Sequence, residues 1–289
     1  DDKPPQHRTP SGVPRSNTDH ESRIDLRGAS DAEIAEMKRH YFAKISTVDE
    51  QLGRVLAALE ARGWLEESLL IFCSDHGELL GDHELAYKWL MYDPIVHVPL
   101  IIRHPGSVGT PAEVGDLVSL MDLAPTILAS AGVDIPTYIE GQSLLPYLND
   151  EEVTSRRFVF CEDNYQVMMR GERHKLVYYI GQEAGELYDL EDDPHELWNR
   201  WADPEFVALK NKLLQHLLSW FTTSTYFNSG YKRGERQTRL RWPSAGDAGL
   251  HGGGKNMQTK QVFVGAGTAA LTTNPLHPLY RSNINLKVG

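Results

Sequence analysis

Ser68-Leu69-Leu70-Ile71-Phe72-Cys73-Ser74-Asp75-His76-Gly77-Glu78 carries an uncharged run straight into a carboxylate, an imidazole and a glycine. The apolar part is continuous, without the alternation of a half-buried strand. That pattern predicts a central strand of a parallel sheet, covered on both faces, with Cys73 a buried, reduced thiol. Neighbouring side chains on a strand point to opposite faces. Asp75 and His76 therefore converge only where the chain is already turning, and Gly77 permits such a turn. Open α/β sheets gather their ligands at the carboxyl ends of strands, which is where this pair falls. A strand-end turn with two solvated polar side chains explains the tripeptide equally well.

Upstream lies the clearest helix, over residues 30–62. Ser30 and Glu33 form a capping-box pair. Ile34, Met37, Tyr41, Ile45, Val48, Leu52, Val55 and Leu59 follow at steps of three or four, one continuous face that reads as core. Gly63 closes the helix. Residues 1–29 hold Pro4, Pro5, Pro10 and Pro14 and no period, which predicts a surface loop.

Downstream, Glu78 to Lys88 is polar, and Val98-Pro99-Leu100-Ile101-Ile102 reads as a second strand beginning near Pro99. Leu117–Met121 is a candidate short strand. Asp122 is placed to cap a helix with Pro125 in its first turn, ending near Gly132. From 155 to 190 the pattern changes to short strands at 157–162, 166–170 and 175–180, punctuated by Gly171 and Gly181. Successive strands without helices imply an antiparallel sheet. Asp203-Pro204-Glu205 opens a last helix with Phe206, Leu209, Leu213, Leu217 and Trp220 on one side. Four segments follow: a loop at 1–29, an α/β part at 30–150, a small α+β part at 151–221, and an irregular Gly-, Asn- and Thr-rich extension at 222–289.

The 289 residues carry 29 basic and 40 acidic side chains, a net charge of −11. That disfavours nucleic acid and anionic membrane surfaces as partners. It leaves room for an anionic small substrate, because a metal and one or two basic side chains reverse the field locally. Cys73 and Cys161 make no disulfide framework, and no apolar run reaches the length of a membrane span.

Asp75 offers a hard oxygen and His76 an imidazole nitrogen, which suits a divalent cation that accepts mixed ligands, such as Mn²⁺ or Zn²⁺; Ca²⁺ and Mg²⁺ prefer oxygen shells. Two ligands do not hold a metal alone, so further carboxylates must come from elsewhere. Lys88 could meet an anion as a compact charge, although lysines are mostly solvated. His83 reads as a structural loop histidine or as a residue behind the ligands. His104 follows the second strand and is a weaker candidate for the same crevice. Asp189, Asp192, Asp193, His195 and Glu196 read as turn and cap chemistry around Pro194, in preference to a second metal site.

Ser74-Asp75-His76-Gly77-Glu78-Leu79-Leu80-Gly81-Asp82-His83, with Lys88, Tyr92-Asp93 and Val98-Pro99-Leu100-Ile101-Ile102, resembles the second metal motif of the sulfatase family, within the alkaline phosphatase superfamily. Tyr41 to Gly63 resembles the helix before that motif. Asp122-Leu123-Ala124-Pro125-Thr126 with Gly141-Gln142-Ser143-Leu144 resembles the segment that ends the main domain. Leu187-Tyr188-Asp189-Leu190 with Asp193-Pro194-His195-Glu196 and Asn199 resembles the small C-terminal sheet domain. The likeness covers roughly residues 40–220.

The resemblance implies an alkaline-phosphatase-like α/β fold: a mixed sheet flanked by helices, then a small antiparallel sheet with a helix. It implies metal-dependent hydrolysis of sulfate esters of small molecules or glycans. Phosphonate or phosphate ester hydrolysis on the same fold is an alternative, and so is a non-catalytic module that keeps the fold. Asp75 and His76 would contact the divalent metal, Ca²⁺ or Mn²⁺ first, with Mg²⁺ or Zn²⁺ as alternatives. Lys88 would contact the sulfate or phosphoryl oxygens as the catalytic and substrate-binding lysine, and His83 would stand behind them. The family's nucleophile is a formylglycine made in a Cys/Ser-x-Pro-x-Arg motif. This chain has none; Ser11-Gly12-Val13-Pro14-Arg15 is one residue too long. The chain therefore reads as the C-terminal half of a sulfatase, with the nucleophile expected upstream and little activity expected of these residues alone.

Overall fold

The computed structural model describes residues 26, 28–105, 113–149, 151–163 and 166–228. They fall into two compact units, divided between Val114 and Gly115.

The first unit begins with helix α1, Asp31–Ala61. Its capping box forms as the sequence predicts: Ser30 Oγ accepts the Glu33 amide and the Glu33 carboxylate accepts the Ser30 amide. Gly63 ends it with φ +68°. The core role expected of its apolar face is not met, since no described residue of α1 is buried and Val48 and Val55 are more than half exposed. Strand β1, Leu70–Cys73, pairs with β2, Leu100–Arg103, after a one-turn helix α2, Asp93–Val96.

The β1–β2 pairing is antiparallel, with Leu70 opposite Arg103 and Cys73 opposite Leu100. This corrects the parallel reading of 68–73. A continuous apolar run reports burial on two faces and says nothing about the direction of a neighbour. The double burial also fails, because Leu70, Ile71 and Phe72 are only half-buried and Cys73 is exposed. Pro99 falls just before β2, the place its missing donor allows. The pairing also carries His104 past Arg103, to the end of the ribbon away from Ser74 and Asp75, so the crevice suggested for it is not formed.

The second unit replaces the expected strand at 117–121 with an irregular approach to a single 3₁₀ turn, Leu120–Asp122, and helix α3, Leu123–Ser130. Asp122 does not cap α3 with its side chain. Its fully buried carboxylate accepts the Ser119 amide at 2.7 Å, the Gln142 amide at 2.8 Å and the Arg156 guanidinium at 2.6 Å. Charge-assisted bonds of this kind are the strong ones, and here they tie residues 119, 142 and 156 to one point. Thr126 extends the tie: its hydroxyl donates to the Asp122 carbonyl and accepts the Leu144 amide ahead of the short helix α4, Leu145–Leu148.

A four-stranded antiparallel sheet follows in the order β3-β4-β5-β6: Val159–Glu162, Gln166–Arg170, His174–Tyr179 and Gly185–Asp189. The fourth strand was legible only through the family likeness, because Gly-Glu-Leu-Tyr-Asp has neither alternation nor a β-branched residue. On one face Val167, Met169, Leu176 and Leu187 form the core with Leu213 and Leu217 of helix α5, Val207–Asn228. The other face is buried as well, with Met168 and Val177 set among polar groups. Lys175, Glu186 and Tyr188 lie there, Tyr179 donates to Glu186 at 2.9 Å, and Lys175 meets Glu196 at 2.6 Å. Two buried faces explain the unbroken apolar runs in these strands. The Asp203 carboxylate caps the approach to α5, which passes residue 221 and ends at Asn228. The loop expected up to residue 25 and the extension after 228 lie outside the described residues.

Candidate active site

The chain leaves β1 at Cys73 and curls at once. Ser74 Oγ donates to the His76 carbonyl at 2.8 Å. The Gly77 amide then donates to the Ile95 carbonyl at 2.7 Å and the Glu78 amide to the Pro94 carbonyl at 3.1 Å. These two bonds lay residues 77–78 against the start of α2. A Cβ at position 77 would stand 1.9 Å from the Pro94 oxygen. Gly77 is therefore needed for close backbone approach. It is not among the residues with positive φ, so the turn uses its missing side chain and no left-handed backbone.

The loop beyond is held in an unusual conformation. Leu80, His83, Glu84, Tyr87 and Trp89 all have positive φ, between 49° and 77°. Such residues are uncommon outside glycine and persist only where the surroundings over-determine them. Buried Leu79, Leu85, Ala86, Leu90, Met91 and Tyr92 supply that constraint. The His83 ring stacks on Tyr92 with centroids 3.8 Å apart. Tyr87 and Trp89 flank Lys88, so two left-handed residues aim that lysine.

Asp75, His76 and Lys88 converge. The Lys88 ammonium lies 2.5 Å from His76 Nε2, and Asp75 Oδ2 lies 3.4 Å from the same nitrogen. His76 Nδ1 lies 2.8 Å from the Gly77 carbonyl oxygen. A carbonyl only accepts, so Nδ1 is the donor in this contact. The Asp75 side chain is exposed. The His76 amide donates to its carboxylate and, with smaller help from His76 and Lys88, holds its pKa below the usual carboxylate range.

Helix α1 brings the N-terminal part of its apolar face to this loop. Ile34 packs over Gly81, Lys38 lies 3.6 Å from Asp82, and Tyr41 is close enough to Glu78 and Asp75 for their charges to act on it. Burial, then Glu78 and Asp75, raise the Tyr41 pKa. The only signal in the sequence was a phenol among aliphatic residues at 34, 37, 45 and 48.

The donor set is one carboxylate and one imidazole nitrogen, with the Lys88 ammonium beside that nitrogen. That fits a divalent cation taking O and N ligands. Among the described residues no group of three or more His, Cys, Asp and Glu side chains is placed to hold a metal ion.

Residues 3–133 match the family model described as "Sulfatase", and residues 81–222 match the one described as "N-sulphoglucosamine sulphohydrolase, C-terminal". The chain is 32% identical over 207 residues to arylsulfatase K of Bos taurus, which aligns 66% of this chain with 38% of that protein. It is 32% identical over 192 residues to an N-acetylglucosamine-6-O-sulfatase of Bacteroides thetaiotaomicron, covering 62% of this chain and 34% of that one. In structure it resembles the phosphonate monoester hydrolase of Agrobacterium radiobacter, with a TM-score of 0.61 and 31% identity, over 68% of this chain and 43% of that one. The chain thus spans well under half the length of these relatives. Its fold is that of the alkaline-phosphatase-like hydrolases. Within that class, the chain is similar to the sulfatases, whose two family models together match residues 3–222.

Proposed function

We propose that this chain supplies the metal-contacting and anion-contacting side of a sulfate ester hydrolase. The observation that carries the reading is the convergence of Asp75, His76 and Lys88 at the end of β1. Asp75 Oδ2 and His76 Nε2 would hold the divalent cation, Ca²⁺ or Mn²⁺ by preference, with other ligands contributed from outside this pair. When bound, such an ion acts as a Lewis acid on a sulfuryl oxygen and lowers the pKa of a coordinated hydroxyl. Lys88 meets the sulfuryl oxygens with a fixed positive charge, which is worth most where charge develops in the transition state. The Gly77 carbonyl engages His76 Nδ1 and leaves Nε2 toward Asp75 and Lys88. His83 holds the loop through Tyr92.

The nucleophile comes from elsewhere in this reading. The 289 residues contain no Cys/Ser-x-Pro-x-Arg motif, so a formylglycine would be contributed by a segment outside them. The substrate class is a sulfated small molecule or glycan, supported by the N-acetylglucosamine-6-O-sulfatase likeness. The likeness to a phosphonate monoester hydrolase supports a second reading, in which the same three side chains serve a phosphonate or phosphate ester.

Calorimetric binding of inorganic sulfate to the chain with Mn²⁺ tests the site. The expected result is binding that weakens about tenfold or more in Asp75→Asn and in Lys88→Met, in line with loss of a charge-assisted contact. Equal binding by all three proteins would overturn the assignment. Methylphosphonate run beside sulfate decides between the two esters by whichever binds more tightly. Turnover of an aryl sulfate by these 289 residues is expected to be negligible, and robust turnover would show that the nucleophile lies within them.

A further inference from the structure

Trp89 stands beside Lys88 in a conformation that a bulky residue rarely adopts. Its φ is +77°. Glycine takes that value freely, whereas a large side chain there is an outlier. Such outliers persist where the surroundings fix them, and they gather at ligand-contacting sites. Buried Leu90, Met91 and Tyr92 follow directly and anchor the segment. Trp89 itself is half-buried, and its indole nitrogen is a buried atom. The only polar atom of the side chain is thus turned inward, and what the side chain leaves accessible is hydrocarbon. The Lys88 ammonium lies over this ring, 5.3 Å from its centroid.

We propose that the Trp89 ring is a stacking platform beside the anion contact, which selects sulfate esters of ring-shaped alcohols over those of small open-chain alcohols. This inference rests on the reading of Lys88 as the anion-contacting residue and extends it to the organic half of the substrate. The ammonium is within contact range of the aromatic face, so an ester whose oxygens accept from Lys88 brings its carbon skeleton to the ring. The face of an aromatic ring is negative and its edge positive. It repels sulfate oxygens and attracts polarised C–H groups. The two neighbours therefore sort the substrate. The charged oxygens go to Lys88, and the C–H face of a pyranose goes to Trp89. Inorganic sulfate or the ester of a small alcohol uses only the first contact.

The test uses the full 289-residue chain with Ca²⁺, which is diamagnetic. The ligands are inorganic sulfate, methyl sulfate and glucose 6-sulfate. Calorimetry compares the parent with Trp89→Asn and Trp89→Phe. Asn tolerates positive φ and removes the ring, while Phe keeps a smaller one. Glucose 6-sulfate is expected to bind about tenfold more weakly to the Asn variant, the size of a lost stacking contact, and to lose less in the Phe variant. Inorganic sulfate and methyl sulfate should bind all three proteins alike. In the parent, the ring protons of bound glucose 6-sulfate should shift upfield, as protons over an indole face do, and this readout needs no variant. Unchanged glucose 6-sulfate affinity in the Asn variant, or no upfield shift in the parent, overturns the platform; the Lys88 reading stands as long as inorganic sulfate binds. Equal weakening of all three ligands in the Asn variant also overturns it, because Trp89 would then act only by holding Lys88. A parent that binds no sulfate overturns both.

Discussion

The carbonyl oxygen of Pro94 occupies the space in which any residue but glycine at position 77 would place its Cβ. The contact fixes where the chain turns after Asp75 and His76. It also fixes the Gly77 carbonyl that lies 2.8 Å from His76 Nδ1. Gly77→Ala cannot be relieved by a side-chain rotation, because the obstacle is backbone. The variant should lose about 1–3 kcal/mol, the usual cost of overpacking, and should bind Mn²⁺ more weakly than the parent. Urea denaturation and calorimetry measure both. An alanine variant as stable as the parent would show that the approach of residues 77 and 94 is loose.

Lys175 and Glu196 form an ion pair with almost no exposure, 2.6 Å apart. Such a pair stabilises little relative to apolar residues of the same shape, but removing one partner strands a buried charge. Lys175→Met and Glu196→Gln should each destabilise by about 3–5 kcal/mol. The double variant Lys175→Met with Glu196→Leu should recover a large part of that loss. Denaturant melts of the three variants decide it. Additive losses in the double variant would mean that the two charges do not depend on each other.

What the sequence disclosed and what it hid follow one physical division. Local rules held where local chemistry decides the outcome: the Ser30–Glu33 box, the Asp203 cap and the α5 face. Asp75, His76 and Lys88 were legible as a group through the motif that contains them, although their convergence depends on bonds between residues 77–79 and 87–95. The direction of the β2 neighbour was not legible, because apolar continuity carries no directional information. The sequence leaves the reason for Gly77 open on similar grounds. A glycine in sequence does not say whether it is needed for its φ or for its missing Cβ. Asp122 looked like a helix cap, and its real partners, Gln142 and Arg156, lie 20 and 34 residues away.

The exposure of Cys73 gives a direct check on that corrected strand. Cys73 is exposed, whereas Cys161 is partly buried and its pKa is raised by burial and then by Asp163 and Glu162. The thiolate is the reactive form. With a disulfide reagent at pH 8 under native conditions, one thiol should react fast and one slowly. Cys73→Ser should remove the fast phase and Cys161→Ser the slow one. The opposite assignment would restore the buried strand that the sequence first suggested.

Acid should loosen the second unit in two stages. Burial lowers the His174 pKa, with Asp189 opposing and Arg173 assisting. Burial, Arg157 and Lys212 lower that of His216. The unfolded chain, with imidazoles near about 6.5, therefore takes up these protons before the folded one does. Stability from these two groups is complete above that value and is lost as pH falls through their folded values. The second stage belongs to Asp189. Burial pushes its carboxyl up, but the Arg173 fork outweighs burial and leaves it below the ordinary range. Its contribution is present above about pH 3.9 and is lost below. Melting temperature should therefore decline from pH 7 to pH 5. The double variant His174→Gln with His216→Gln should flatten that decline and leave in place the drop below about pH 3.9, where Asp189→Asn should act instead. A double variant that melts with the same pH slope as the parent would remove the two histidines from the account.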